Sequence, residues 1–266
     1  DFSKAITLIK KAIKTKTQII VYGDYDADGI CATAIMWEAI NSLKAEAMPF
    51  IPMREVEGYG ISKDGVDSIL TKYQPGLIIV VDSGIVAHEA IDYAKKKGFK
   101  VIVIDHHEKP KKLPKADVIV HTTKLCAAGI AYFLAGVIAS ETKQSSLELA
   151  AIATVTDMMP LQGINRSIVK YGLESLNKSK RPGLKAILET AAIEKIGVYE
   201  IGFMIGPRLN ASGRIDSALP ALRLLCTHDL EKAKTWAVAL NDVNQVRQLM
   251  TAQMTEAAKT LTRHKD

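Results

Sequence analysis

Gln18-Ile19-Ile20-Val21-Tyr22-Gly23-Asp24-Tyr25-Asp26-Ala27-Asp28-Gly29 is the stretch that decides the fold. Its first half, Gln18–Gly23, is rich in Ile and Val with no polar alternation, as a strand buried on both faces requires. It passes without a spacer into three alternating aspartates and then into Ile30–Leu43, an apolar stretch of helical length. Strand, acidic turn and helix in direct succession open a parallel α/β sheet. The runs Ala47–Ile51, Leu77–Val81, Val101–Ile104 and Val118–Val120 repeat the strand signal. Between them Lys63–Tyr73 (with Ser62 as N-cap), Ala87–Lys97 and Ala127–Ser140 read as crossover helices. The pattern predicts a five-stranded parallel sheet with helices on both faces and right-handed crossovers.

After about residue 145 the strand signal stops. Leu147–Thr156, Ser167–Leu176, Leu184–Ala192 and Tyr199–Ile205 read as helices, and Asp229 to Arg263, free of Pro and Gly, as one long helix. The expected organisation is an α/β core over 1–160, a helical extension over 161–228 and a connector helix over 229–266 leading to a domain outside this chain.

With 48% hydrophobic and 24% charged residues, the chain is neither disordered nor fibrous. No stretch reaches the ~18 apolar residues of a membrane helix, so no membrane partner is expected. Cys31, Cys126 and Cys226 are too scattered for a disulfide framework or a thiolate zinc site, which makes a reducing cytoplasm the expected compartment. A net charge of +6 suits a polyanionic partner. The individual clusters, including Lys109–Lys115 and Lys178–Arg181, read as solvated faces.

The residues just beyond the strands carry the chemistry. The first strand runs into Asp24, Asp26 and Asp28, the third into Asp82-Ser83-Gly84, and the fourth into Asp105-His106-His107. Ligands of open α/β sheets bind beyond the carboxyl ends of the strands, so these three loops should converge. Carboxylates crowded there repel one another unless cations intervene. Oxygen ligands with imidazoles and no thiolate suit Mn²⁺ or Mg²⁺. Asp26 and Asp28 are spaced to face one ion each, Asp82 could bridge the two, and Asp105 could orient an imidazole from behind. Two ions roughly 3.5–4 Å apart form hydrolytic machinery for a phosphoester.

These residues resemble the catalytic core of the RecJ-type single-stranded-DNA exonucleases of the DHH phosphoesterase superfamily, over most of the chain. Asp24–Gly29 is similar to the first motif, Asp82–Gly84 to the second and Asp105–His107 to the third. Thr154–Leu161 with Asn165-Arg166 is similar to the fourth. Ile51-Pro52, Arg54 and Glu57–Gly60, together with Gly206–Arg214, resemble segments that set the RecJ type apart from its relatives. The resemblance implies metal ligands at Asp26, Asp28, Asp82, His106 and Asp157, with Asp24 a sixth. It places His107 beside the scissile phosphate. Arg54, Arg208 and Arg214 are the expected phosphate-binding residues, with Asn210 and Ser212 adding neutral hydrogen bonds from a tight loop. Arg166 is balanced between the site and a structural pair with an acid such as Asp157. Many superfamily members have a histidine where this chain has Tyr22, a poor ligand, so the first metal site recruits Asp24 or holds its ion more weakly.

The implied activity is a two-metal, 5′-to-3′ exonuclease of DNA repair and recombination. Its expected partners are single-stranded DNA and a single-strand-binding protein or helicase, and the expected state is a monomer. RecJ-type enzymes continue into further domains that do not fit after Asp229, so the chain reads as a core fragment. With only 6% aromatic residues, base stacking falls to Tyr59 and Phe203, and Phe203 is expected in the core. One rival is a relative acting on short oligonucleotides, cyclic dinucleotides or pyrophosphate. A second is an aspartyl-phosphate mechanism on Asp24 or Asp26, as in haloacid-dehalogenase-like phosphatases, which leaves Asp105–His107 unexplained. A third is a non-catalytic DNA-binding scaffold of the same fold, which should have lost ligands.

Overall fold

A computed structural model describes residues 1–139, 143–215 and 217–263, without the side chains of 143–145, 214–215 and 261–263. Five strands, β1 (Ile19–Tyr22), β2 (Ala47–Phe50), β3 (Leu77–Val81), β4 (Lys100–Asp105) and β5 (Val118–His121), form one sheet in the order β2-β1-β3-β4-β5. Every pairing is parallel. The chain leaves β1 toward β2 on one side and resumes at β3 on the other. The strand order therefore reverses between β1 and β3, which opens a crevice at their carboxyl ends.

Successive side chains of a strand point to opposite faces, and the two faces carry different cores. Ile19, Val21, Ile79 and Ile102 pack beneath α2 (Ala27–Ser42) and α5 (Ala127–Ile138). Ile20, Tyr22, Ile78 and Val101 pack with Val66 and Ile69 of α3 (Lys63–Leu70) and Ile91 of α4 (His88–Lys96). Helix α1 (Phe2–Lys14) adds Ala5 and Ile9 to the first core. Ser62 caps α3 by accepting from the Gly65 amide at 3.0 Å.

Helices α6 (Lys143–Thr156), α7 (Gly163–Leu176), α8 (Pro182–Thr190), the short α9 (Val198–Glu200), α10 (Gly206–Ile215) and α11 (Leu219–Cys226) come next. Their buried residues, such as Ile152, Ile187, Leu209 and Leu224, belong to the same core as the sheet. Residues 161–228 thus share the hydrophobic interior of 1–160. The long α12 (Leu230–Arg263) buries Ala233, Ala237 and Leu240 near its start, whereas its side chains from Gln248 to Thr260 are exposed. None of the described helices is long and apolar enough to cross a membrane.

Three expectations need correction. Gly206–Arg214 is helix α10, not a tight loop. Its glycines admit close neighbours: a Cβ on Gly206 would stand 2.4 Å from Thr156 Cγ2, and one on Gly213 would stand 2.4 Å from the Tyr25 carbonyl oxygen. Arg181 is not on a solvated face, because its guanidinium is buried against the Glu38 carboxylate at 2.6 and 2.9 Å and also donates to the Leu225 carbonyl. Phe203 is exposed, held out of the core by a π-turn at Ile201–Ile205 whose buried faces are Ile201 and Ile205.

Candidate metal centre

The carboxyl ends of β1, β3 and β4 bring six acids and two imidazoles together. Asp24 follows β1 and is buried. Asp26 is the N-cap of α2, where its Oδ1 accepts from the Gly29 amide at 3.0 Å. Asp28, in the first turn of α2, faces the start of α5, and its two oxygens accept from the Ala127 and Ala128 amides at 2.7 and 2.8 Å. A helix N-terminus is a favourable seat for an anion, so α5 fixes the orientation of Asp28 and offsets part of its burial. Asp82 follows β3 in the left-handed region, φ 59°. That conformation is costly for a residue with a Cβ and persists where the surroundings impose it.

His106 joins the strand ends. Its Nε2 lies 3.2 Å from Asp82 Oδ1 and 3.6 Å from Asp28 Oδ2, and its Nδ1 lies 3.7 Å from Asp157 Oδ2. Asp105, fully buried behind it, acts as a hub. Its Oδ2 accepts from the Ile85 amide at 2.9 Å. Its Oδ1 accepts from the His106 amide at 2.7 Å, the His107 amide at 3.1 Å and His107 Nδ1 at 2.7 Å. The two imidazole centroids are 4.6 Å apart.

Charge at this edge is uncompensated. Burial, with Asp26 next, raises Asp24 and Asp28 each to about 7. The same two causes raise Asp157 to about 6. Asp82 is raised well above the ordinary carboxylate range by burial and then by Asp28. Burial and the neighbouring His107 push His106 down, toward the neutral ring. His107 goes up through its hydrogen bond to Asp105. Oδ1 of Asp24 and Oδ1 of Asp82 are buried without a hydrogen-bond donor, which costs roughly 1–3 kcal/mol for each such group. His106 Nε2 stands 3.2 Å from Asp82 Oδ1, an oxygen that has no hydrogen-bond partner. A cation among these atoms would give the buried oxygens a partner and offset the crowding of carboxylates. Among the described residues, three groupings place one ligand atom from each member within 4.8 Å of the others: Asp24, Asp26 and Asp82; Asp28, His106 and Asp157; and Asp82, His106 and His107. The donor set is hard, all oxygen and imidazole, and fits Mn²⁺ or Mg²⁺.

The remaining predicted residues divide. Arg54 is exposed at the rim, its guanidinium 5.8 Å over the Tyr25 ring, which in turn meets Tyr59 edge-on at 5.9 Å. Glu57 closes that loop by accepting from the Met53 amide at 2.7 Å and the Ser68 hydroxyl at 3.0 Å. Asn210 Oδ1 accepts from the Ala27 amide at 2.6 Å, so it braces the acidic loop. Ser212 is buried and donates to Leu209 O of its own helix at 3.3 Å. Arg208 donates to Met204 O and to Asn241 Oδ1. Arg166 is exposed on α7. The Arg214 side chain lies outside the described residues. Tyr22 turns to the opposite face of the sheet, where it is buried and donates to Gly60 O at 3.1 Å. Two partners had no signal in the sequence: the α5 amides that hold Asp28, and Asn241 of α12, which holds Arg208 across 33 positions.

A doubly wound sheet with carboxylates and imidazoles gathered at its switch point defines an α/β protein with a candidate divalent-metal centre. The model of the DHH family, N-terminal domain, matches residues 18–156, and the chain belongs to the DHH family. It is 38% identical to the single-stranded-DNA-specific exonuclease RecJ of Bacillus subtilis, over 96% of this chain and 34% of that protein. It is 32% identical to RecJ of Escherichia coli, over 97% and 49%. Among solved structures, exonuclease RecJ bound to manganese superposes with a TM-score of 0.88 at 34% identity, covering 96% of this chain and 68% of that one. RecJ of Thermus thermophilus in complex with Mn²⁺ gives 0.84 at 32%, covering 96% and 39%. The chain spans a third to a half of the length of the curated relatives it matches.

Proposed function

We propose that the chain is the core of a metal-dependent nuclease that hydrolyses phosphodiester bonds of single-stranded DNA, with the 5′-to-3′ polarity of the RecJ type, in repair and recombination. The observation that carries this reading is the convergence of Asp82 Oδ1 and His106 Nε2, 3.2 Å apart, within groupings of carboxylate and imidazole ligand atoms that could hold a metal ion. The RecJ relatives support the substrate, and the manganese bound in two of them supports the metal.

Asp24, Asp26 and Asp82 would hold one Mn²⁺ or Mg²⁺ ion, and Asp28, His106 and Asp157 a second, with Asp82 and His106 adjoining both. Bound there, the ions would supply Lewis acidity to the phosphoryl oxygens and lower the pKa of a water nucleophile. Asp105 keeps the His107 proton at Nδ1 and favours the imidazolium, so that Nε2–H can donate to a phosphoryl oxygen as negative charge develops. Arg54, steered by the Tyr25 ring, binds a phosphate at the rim, and Arg208, aimed by Asn241, a second.

The test supplies purified protein and Mn²⁺ with a 5′-phosphorylated single strand. Mononucleotides should be released, EDTA should stop the release, and Asp82→Ala should reduce it by orders of magnitude. Hydrolysis by Asp82→Ala within a few-fold of the parent would overturn the ligand assignment.

A further inference from the structure

Tyr199 and Phe203 are 62% and 69% exposed, yet their rings stack on each other, centroids 4.9 Å apart and planes at 26°. Large rings ordinarily bury, and this pair spends its ordered surface on solvent. Phe203 stands on the π-turn Ile201–Ile205, one turn after Tyr199 in α9. Turns of that kind are rare and occur frequently at functional sites.

The helix behind the pair is clamped to the metal centre. Gly206 packs on Thr156, the residue before Asp157, and Gly213 packs on the Tyr25 backbone between Asp24 and Asp26. Asn210 braces Ala27. The same helix carries a cation: Arg208 Nη1 donates to Met204 O at 2.8 Å, which draws its guanidinium back to the level of the turn that carries Phe203. At ~1.5 Å per residue, the helix from Tyr199 to Asn210 runs roughly 16 Å, the reach of a few nucleotides.

We propose that Tyr199 and Phe203 form a nucleobase-stacking platform for a single strand, engaging a base a few nucleotides from the phosphate at the carboxylates, while Arg208 holds an intervening phosphate. The proposal rests on the nuclease reading. A flat π-face accepts any base, as sequence-tolerant binding requires. The neighbouring guanidinium matches a polyanion and repels a basic partner.

The experiment places 2-aminopurine at successive positions of a 5′-phosphorylated oligothymidylate and reads its fluorescence on the full chain, with EDTA present so that nothing is cut. Quenching should peak at one or two positions a few nucleotides from the 5′ end. Tyr199→Ala/Phe203→Ala should abolish that peak and weaken affinity about tenfold or more. Phe203→Leu, which keeps apolar area without a π-face, should lose the peak as well, and Phe203→Trp should keep it. A position-independent signal in the parent, or a double variant that retains the peak and binds within twofold, overturns the platform. The Mn²⁺ assay on the same strand is scored separately: no mononucleotide release by the parent removes the nuclease reading, whatever the fluorescence shows.

Discussion

Replacing Asp105 with Asn separates the hub of the site from its ligands. The carboxylate is fully buried and takes four donors, three on Oδ1 and the Ile85 amide on Oδ2. An asparagine can keep its oxygen toward the three, which leaves its NH₂ facing the Ile85 N–H at about 2.9 Å, donor against donor. One buried amide then goes unpaired and the charge-assisted contacts weaken, at about 1–3 kcal/mol for the lost pairing. For a chain of this size that lowers Tm by roughly 2–4 °C per kcal/mol. His107 loses the anion that raises its pKa, and rates fall when such an orienting partner is removed, typically about 10–100-fold. Thermal melting and steady-state hydrolysis of a 5′-phosphorylated strand with Mn²⁺ measure the two effects. Ile187→Val, a buried change in the helical half costing about 1 kcal/mol, controls for lost stability. The reasoning fails if Asp105→Asn melts lower and yet keeps kcat within twofold of the parent.

Adding Mn²⁺ to metal-free protein should raise Tm, by a stabilisation of about 2.7 kcal/mol at a hundredfold excess over Kd; calorimetry showing no shift, or one that EDTA fails to reverse, would contradict a metal centre. Arg181→Leu alone should cost about 3–5 kcal/mol by stranding Glu38. Arg181→Leu with Glu38→Leu should recover much of that in urea titrations. Gly213→Ala should slow hydrolysis more than it lowers Tm, since its Cβ would press the Tyr25 carbonyl at 2.4 Å and push α10 from the acidic loop; an unchanged rate would show that α10 does not brace the site. Glu148 is raised by burial despite its Ser175 and Ser179 donors. A carboxyl raised in the folded state binds its proton more tightly there, so stability falls as pH climbs from its ordinary value near 4.5 through the raised one. Glu148→Gln should remove that slope from a Tm-against-pH series.

The strands were legible because buried parallel strands must be continuous apolar runs, and the observed bounds of all five lie within a residue of those runs. The acids were legible for a related reason, since each follows a strand directly and parallel strands end on one side. Helix α2 begins three residues earlier than its apolar stretch suggested, because Asp26 doubles as its cap. The α10 segment misled because glycine and proline signal turns locally, whereas here Gly206 and Gly213 make room for Thr156 and Tyr25.

Sequence by itself determined the parallel sheet, the helical second half and the clustering of Asp24, Asp26, Asp28, Asp82, Asp105, His106 and His107 at one edge, because periodicity and strand-end position are local properties. Tertiary structure alone decided how each side chain is held. Asp28 is seated on α5 from 99 positions away, Asn210 braces Ala27 from 183, and Phe203 faces solvent on a π-turn. Such contacts depend on which helix lies against which loop, and packing sets that through the whole core at once.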